Sequence, residues 1–139
     1  MEGDAILTYS IDPGLTGAEL LDLIDGTHAA FCRRLLSVGQ ATTCGCAACA
    51  LIPRLDLKLI AHSGHYSRQQ IAGQTELVGR DVITSHRLLK NTIGFAGPAS
   101  GYMLLTDTCV QPLSIDTVSR GLNAPTSSGT RTSARSGPG

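Results

Sequence analysis

A compact group of cysteines in the first half of the sequence has the residue types and spacing of a metal site. It is a Cys-x-Cys-x-x-Cys pattern formed by Cys44, Cys46 and Cys49. Zinc in proteins prefers thiolate and imidazole ligands and is usually held by four of them. The fourth ligand would come from one of three other side chains: Cys32, His62 or His65. The spacing departs from the paired Cys-x-x-Cys knuckle, so reduced loop cysteines in an alanine-rich stretch are the alternative interpretation.

The remaining nucleophilic and titratable side chains have ordinary structural interpretations. His62 and His65 flank Gly64, where the geometry of a hairpin tip explains them without catalysis. His86 is expected on the surface, and Cys109 in the packing of the core. The sequence contains neither a Gly-x-Ser-x-Gly elbow nor a phosphate-binding Gly-Lys-Ser/Thr loop. Hydrolase and P-loop functions therefore have no support.

Composition narrows the class of protein further. The 139 residues are 42% hydrophobic and 16% charged, with a formal net charge of zero, which is typical of one globular domain. Zero net charge and few aromatic residues argue against nucleic acid as a partner. No apolar run approaches the roughly 20 residues of a membrane-spanning helix. Glu2 and Asp4 directly after Met1 do not resemble the start of a signal peptide, so we expect a cytoplasmic protein with reduced thiols.

The clearest secondary-structure signal is a long amphipathic helix. Apolar residues recur at helical spacing over residues 16–38, and His28 lies on this apolar stripe. Thr16 and Glu19 form a capping-box pattern at its start, and Gly39 is a plausible stop at its end. We predict one helix lying on a sheet.

The sheet is predicted from short β-forming segments: residues 5–9, 55–62, 65–72 and 102–106. The two middle segments are expected to form a hairpin, followed by a connection over 73–79 and a short helix over 81–90. This order favours an α+β sandwich with helices on one face of an antiparallel sheet. The composition changes near Gly121, and residues 124–139 contain no large apolar residue, which predicts a disordered Ser/Gly/Arg/Pro tail over residues 121–139.

Three segments, in order, resemble the class III nucleotidyl cyclases, that is, the adenylate and guanylate cyclase homology domain. Residues 2–7 are similar to the family's Gly-Asp hairpin, residues 57–64 to its strand ending in His-x-Gly, and residues 79–88 to its Gly-Asp-x-Val-Asn-x-Ala-x-Arg segment. The details resemble a bacterial branch of unknown function. The resemblance implies a ferredoxin-like antiparallel sheet and a partial cyclase-homology domain over residues 1–120.

The resemblance also implies roles for particular residues. Asp4 matches a carboxylate that binds a divalent ion, Mg²⁺ or Mn²⁺. Arg87 matches the catalytic Arg that stabilises the transition state. Arg80 or Asp81 stands where the family reads the purine of a nucleotide. Ile83 replaces the family's Asn donor, so we expect a catalytically degenerate domain. A turn carboxylate at Asp4 and a surface ion pair at Arg87 are the alternative interpretations.

Asp4 corresponds to the second of the family's two metal carboxylates, and the family's first strand, which carries the first carboxylate, has no counterpart in this sequence. We therefore expect either an upstream segment that completes the sheet or a homodimer, because the family's site lies across a dimer interface. Three hypotheses follow. The chain is a dimerising, nucleotide-sensing or interaction module; or a metal-dependent purine nucleotidyl cyclase completed upstream; or a small zinc-stabilised binding protein.

Overall fold

A computed structural model describes residues 5–11, 15–90, 101–117, 122–126 and 130–133. Its elements run in this order: α1 (Gly17–Ala41), α2 (Ala47–Leu51), a 3-10 turn (Ile52–Arg54), β1 (Lys58–Ala61), β2 (Ser67–Ile71), β3 (Gln74–Val78), α3 (Arg80–Leu89), β4 (Tyr102–Thr106), α4 (Asp107–Val110), β5 (Asn123–Thr126) and β6 (Thr130–Ser133). The α+β class is confirmed. None of the helices within these ranges is both long enough and apolar enough to cross a membrane.

The long helix α1 begins where its capping box predicts. The Thr16 hydroxyl accepts a hydrogen bond from the Glu19 backbone N–H at 3.2 Å, and the Glu19 carboxylate accepts one from the Thr16 N–H at 2.8 Å. These bonds satisfy donors that a helix N-terminus otherwise leaves unpaired. The helix continues to Ala41, three residues beyond the predicted end at position 38. Gly39 therefore lies inside α1 and does not end it.

The larger sheet has the strand order β1-β4-β6-β5, and it differs from the predicted antiparallel sheet. Strands β1 and β4 are parallel, in a register that places Ile60 beside Leu104, whereas β6 is antiparallel to both β4 and β5. The sheet is mixed because the chain returns from β1 to β4 through a hairpin and α3, and such a crossover makes the flanking strands parallel. This order does not confirm the ferredoxin-like arrangement.

The predicted hairpin of residues 55–62 with 65–72 is wrong in its pairing. Strand β2 pairs with β3, from Ser67 opposite Val78 to Ile71 opposite Gln74, in a separate two-stranded sheet. Residues 72 and 73 form the tight turn, with φ angles of +50° and +81°. Two positive φ angles in a two-residue loop suit the right-handed twist of a hairpin, so this loop fixes the register.

The core lies on one face of the larger sheet. Leu21 and Ile24 of α1 pack with Leu105 of β4 in a cluster that also contains Val110, Ile115 and Leu122. Strand residues alternate between faces, so Leu104, which is also fully buried, lies on the opposite face.

Helix α3 covers that opposite face. It contacts β1, and its first-turn Asp81 reaches His62 just after that strand. His62 points to the same side as Ile60, because residues two apart in an extended chain share a face. Helices therefore pack on both faces of the sheet, which corrects the prediction of helices on one face.

The segment predicted to be a disordered tail contributes two strands, β5 and β6. Residues 130–133 pair with β4 over 103–106, so β4 has a neighbour on each edge. Strand β4 is deeply buried, so leaving one row of its N–H and C=O groups without hydrogen-bond partners would destabilise the fold. The prediction rested on the lack of large apolar side chains beyond Asn123 and overlooked Leu122, which is buried in the core. Strand pairing also uses the backbone, which composition does not reveal.

Candidate metal centre

The cysteine loop lies between the end of α1 and the start of β1. At the C-terminal end of α1, the Thr42 backbone N–H and hydroxyl both donate hydrogen bonds to the Val38 carbonyl, at 2.9 and 2.6 Å. The chain then leaves the helix, and Cys46 caps the short helix α2. No residue between positions 42 and 57 is buried, so this loop has no apolar core of its own.

The structure brings the three loop sulfurs together. The Sγ atoms of Cys44, Cys46 and Cys49 all lie within 4.8 Å of one another. Cys44 and Cys46 are exposed, and Cys49 is half-buried. Two sulfurs bound to one tetrahedral zinc at about 2.3 Å each are separated by roughly 3.8 Å. A contraction of about 1 Å or less, within reach of side-chain rotation, would therefore suit the three sulfurs to one ion.

Hydrogen bonding shifts the pKa values of Cys46 and Cys49 in opposite directions. The backbone N–H of Cys49 donates to Cys46 Sγ at 3.4 Å. That bond, followed by the thiols of Cys49 and Cys44, lowers the pKa of Cys46 to about 7. The same contacts with Cys46 and Cys44 raise the pKa of Cys49. Cys46 therefore offers a thiolate near neutral pH, which is the form that binds metals.

The predicted fourth ligands lie elsewhere. Cys32 Sγ sits 3.8 Å from His28 Nε2, on α1. His62 contacts β4 and α3, and His65 follows it in the next turn. Within the described ranges the metal-capable group consists of the three loop cysteines. A single ion would therefore have three ligands from the protein and an open fourth position.

Cys109 is buried, as predicted for a packing residue. Its side chain is 4% exposed, and burial raises the pKa of its thiol. It therefore serves as an internal comparison for the loop cysteines.

A second polar cluster joins β1, β4 and α3 around His62, whose side chain is nine-tenths buried. His62 Nδ1 lies 3.0 Å from the hydroxyl of Thr106 and 3.3 Å from that of Thr108. These two hydroxyls are 2.9 Å apart. On the other side of the ring, Nε2 lies 3.6 Å from Asp81 Oδ1, too far for a hydrogen bond. Sequence reasoning missed both threonines, because they follow His62 by more than 40 positions.

Asp81 forms a hydrogen bond with the backbone of the turn that follows β1. Its Oδ2 accepts a hydrogen bond from the His65 backbone N–H at 2.7 Å. This bond, and then the contacts with His62, hold the pKa of Asp81 below its ordinary value. A Cβ at position 64 would clash with the Asp81 carboxylate, so Gly64 is needed for the close approach. Asp81 therefore stabilises the connection between β1 and β2.

The residues with implied nucleotide roles do not converge. Arg80 and Arg87 are exposed on α3, and Arg87 lies six residues, or about 120° around the helix, from Asp81. Asp4 lies outside the described residues. A shallow cleft of about 370 Å³ is lined by Ser10, Ile11, Gly64, His65, Tyr66 and Arg68. Its lining includes none of the residues with implied roles.

Comparison with known proteins decides the family. The model of a family described as protein of unknown function (DUF2652) matches residues 1–97, which include the cysteine loop, His62 and Asp81. The chain belongs to the DUF2652 family. A curated relative, the uncharacterized protein Rv2561/Rv2562 of Mycobacterium tuberculosis, is 32% identical over 113 residues, covering 81% of this chain and 51% of the relative. The chain thus spans about half of that relative's length. No solved structure matches the chain significantly.

Membership in the DUF2652 family corrects the predicted relationship to nucleotidyl cyclases, which is wrong. The family match and the curated relative are both uncharacterised, and neither places the chain among the cyclases. The three segments that suggested the relationship are short and centre on turn-forming Gly and Asp residues, which occur in many folds. The roles implied for Asp4, Arg80, Asp81 and Arg87, and Mg²⁺ or Mn²⁺ as a cofactor, therefore have no support from the comparisons.

Proposed function

We propose that this protein binds zinc through the thiolates of Cys44, Cys46 and Cys49, as a small metal-stabilised binding protein. One observation carries the proposal: the three Sγ atoms lie within 4.8 Å of one another in an exposed loop. Clustered thiolates favour zinc over Mg²⁺ or Ca²⁺, which prefer oxygen ligands. The spacing of the cysteines in the sequence suggested this hypothesis, and the short distances between their sulfur atoms in the structure support it.

The position of the loop supports a stabilising role for the ion. Residues 42–57 join α1 to β1 without a buried side chain. Segments that bury little apolar surface need another source of free energy to remain ordered, and a bound metal is one such source. Zinc would tie Cys44, before α2, to Cys46 and Cys49 at the start of α2. Its open fourth position would accept water or a ligand from another molecule.

The test is a titration of the reduced 139-residue chain with Co²⁺, followed by displacement with Zn²⁺. Thiolate coordination to Co²⁺ produces an intense charge-transfer absorption, and we expect it to saturate at one ion per chain. Each of the variants Cys44→Ser, Cys46→Ser and Cys49→Ser removes one thiolate. Structural zinc sites with four ligands bind with about 10–16 kcal/mol, so one ligand accounts for roughly 3 kcal/mol, or a 100-fold or greater loss of affinity.

The matched controls are Cys109→Ser and Cys32→Ser, which remove thiols outside the cluster. Both are expected to bind Co²⁺ with the affinity of the unmodified chain. Absence of thiolate absorption in the reduced chain would contradict the proposal. So would a loss of affinity in the control variants as large as that in the loop variants.

A second candidate function, an interaction module that forms a homodimer, is favoured by the apolar segment at residues 5–11. Ile6 and Ile11 are 79% and 66% exposed in this segment, which is neither helix nor strand apart from an isolated bridge at Ala5. Clustered exposed apolar side chains favour association with another protein surface, and we propose a second copy of this chain as the partner. The nucleotide-sensing role has no support from the family.

Sedimentation velocity over a concentration series tests the homodimer. We expect Ile6→Asp to dissociate it, because a carboxylate would have to be buried at the interface. The matched control is Leu36→Asp, which changes an apolar residue on α1 that is also largely exposed, at 68%. A monomer at every concentration of the unmodified chain would contradict the proposal.

A further inference from the structure

The sequence spacing between neighbouring loop cysteines determines which pair is better placed to form a disulfide. One residue separates Cys44 from Cys46, whereas two separate Cys46 from Cys49. Cα atoms three positions apart in a helix are about 5 Å apart, and two positions apart in extended chain about 6.6 Å. Disulfides need Cα atoms about 4.4–6.8 Å apart, most often about 5.5–6 Å. Helical spacing therefore favours Cys46 with Cys49 over Cys44 with Cys46.

The local backbone already directs Cys46 toward its neighbour. Cys46 is the N-cap of α2, with extended backbone angles, and its Sγ accepts the hydrogen bond from the Cys49 N–H at 3.4 Å. This bond holds the Cys46 sulfur over the first turn of the helix, where the Cys49 side chain begins. The two sulfurs already lie within 4.8 Å, so a bond of about 2.05 Å requires rotation of the side chains and no rearrangement of strands.

The two thiols also differ in accessibility. Cys46 is exposed and can meet a disulfide from solution, whereas Cys49 is half-buried beside it. An exposed attacking thiol with a resolving thiol next to it is the arrangement that thiol–disulfide exchange requires. Cys32 lies against His28, and Cys109 is buried in the core, so neither competes for this reaction.

We propose that Cys46 and Cys49 form a reversible disulfide by exchange with low-molecular-weight disulfides, and that this disulfide competes with metal binding. The Cys46 thiolate attacks one sulfur of the small disulfide, forming a mixed disulfide and releasing one small thiolate. The Cys49 thiolate then attacks the Cys46 sulfur, closing the protein disulfide and releasing the second small thiolate. The protein loses two electrons and the small disulfide gains them. A reduced small thiol reverses both steps.

The consequence for the metal rests on the proposed function. Oxidation would remove two of the three protein ligands and leave Cys44 alone. With each ligand accounting for a 100-fold or greater part of the affinity, the oxidised loop should bind zinc at least 10⁴-fold more weakly, by the additive form of that estimate. Zinc occupancy of this protein would then follow the redox state of the surrounding thiols.

The first arm of the test uses the reduced, metal-free 139-residue chain with oxidised glutathione, followed by alkylation and peptide mass spectrometry. We expect a product that has lost two hydrogen atoms, with Cys46 linked to Cys49, and its return to the dithiol with reduced glutathione. Cys49→Ser should stop at a glutathione adduct on Cys46. Cys44→Ser should still form the disulfide, as should the control Cys109→Ser. Absence of the Cys46–Cys49 link, or a dominant link to Cys44 or Cys32, would overturn the proposal.

The second arm repeats the oxidation on the zinc-loaded chain, with a chromogenic indicator for free zinc. We expect one zinc ion to be released for each disulfide formed. Zinc that stays bound after the disulfide has formed would overturn the competition. If the metal-free chain forms the disulfide but no zinc binds to the reduced chain, then the proposed function and the competition fail together, whereas the disulfide exchange stands.

Discussion

Replacing Thr106 with valine tests the polar cluster that joins the two parallel strands to α3. The substitution keeps the shape of the side chain and deletes one hydroxyl, at a residue that is 7% exposed. That hydroxyl contacts His62 Nδ1 at 3.0 Å, the Thr108 hydroxyl at 2.9 Å and the Ala61 carbonyl at 3.5 Å. Thr106→Val should therefore weaken the link between β4 and the end of β1 without creating a cavity.

The expected magnitude follows from these contacts. Two of them have good hydrogen-bond lengths, and each intramolecular hydrogen bond contributes about 1 kcal/mol net. His62 Nδ1 retains a contact with Thr108 at 3.3 Å, which limits the penalty for a buried unpaired nitrogen. We expect the free energy of unfolding to fall by about 1–3 kcal/mol. For a domain of this size that corresponds to a decrease in melting temperature of roughly 3–10 °C.

The assay is urea unfolding followed by circular dichroism, with Thr108→Val as the matched control. Thr108 is exposed, so its hydroxyl is replaced by water when removed, and the control should change stability by about 0.5 kcal/mol or less. Equal losses in the two variants, or a loss below 0.5 kcal/mol in Thr106→Val, would show that the His62 cluster does not stabilise the fold as described.

Three further predictions concern residues that stabilise the fold. Leu105→Ala should lower the free energy of unfolding by about 2–5 kcal/mol in urea denaturation, because Leu105 is fully buried; a loss below 1 kcal/mol would contradict its place in the core. Gly17→Ala should destabilise the protein in the same assay despite the better helix propensity of alanine, since its Cβ would lie 2.6 Å from the Leu113 carbonyl; a gain in stability would refute this contact. Asp81→Asn should lower the melting temperature at pH 6–7. The folded-state pKa of Asp81 is depressed, so its contribution is present above the unfolded pKa of about 3.9 and is lost as pH falls through the folded pKa. Melting curves from pH 7 to pH 2 should therefore converge at the acid end, and a constant gap would argue against the carboxylate's role.

Helix α1 could be predicted because its signals are local. The capping box joins Thr16 to Glu19, and the apolar stripe repeats within single turns of the helix. The strands could not be paired in the same way. The sequence predicted that residues 55–62 pair with residues 65–72, but β1 pairs with β4, whose residues are more than 40 positions away. Local periodicity carries no information on which distant backbone completes a strand.

The candidate sites also differ in whether their residues lie close together in the sequence. The grouping of Cys44, Cys46 and Cys49 could be expected from sequence, because five steps of extended chain reach at most about 17 Å and any turn brings the thiols nearer. The cluster of His62 with Thr106 and Asp81 could not, because the crossover of the chain brings its members together. The resemblance to cyclases failed for a related reason. Gly and Asp are common turn residues in proteins of many folds, so three short segments in order did not identify a family.

The central claim, a zinc ion held by three thiolates of the loop, is tested most directly by X-ray absorption at the zinc edge on the reduced, zinc-loaded chain. The account predicts three sulfur neighbours at about 2.3 Å and one oxygen or nitrogen neighbour at about 2.0–2.2 Å. A first shell with fewer than three sulfurs would contradict it, as would a fourth sulfur.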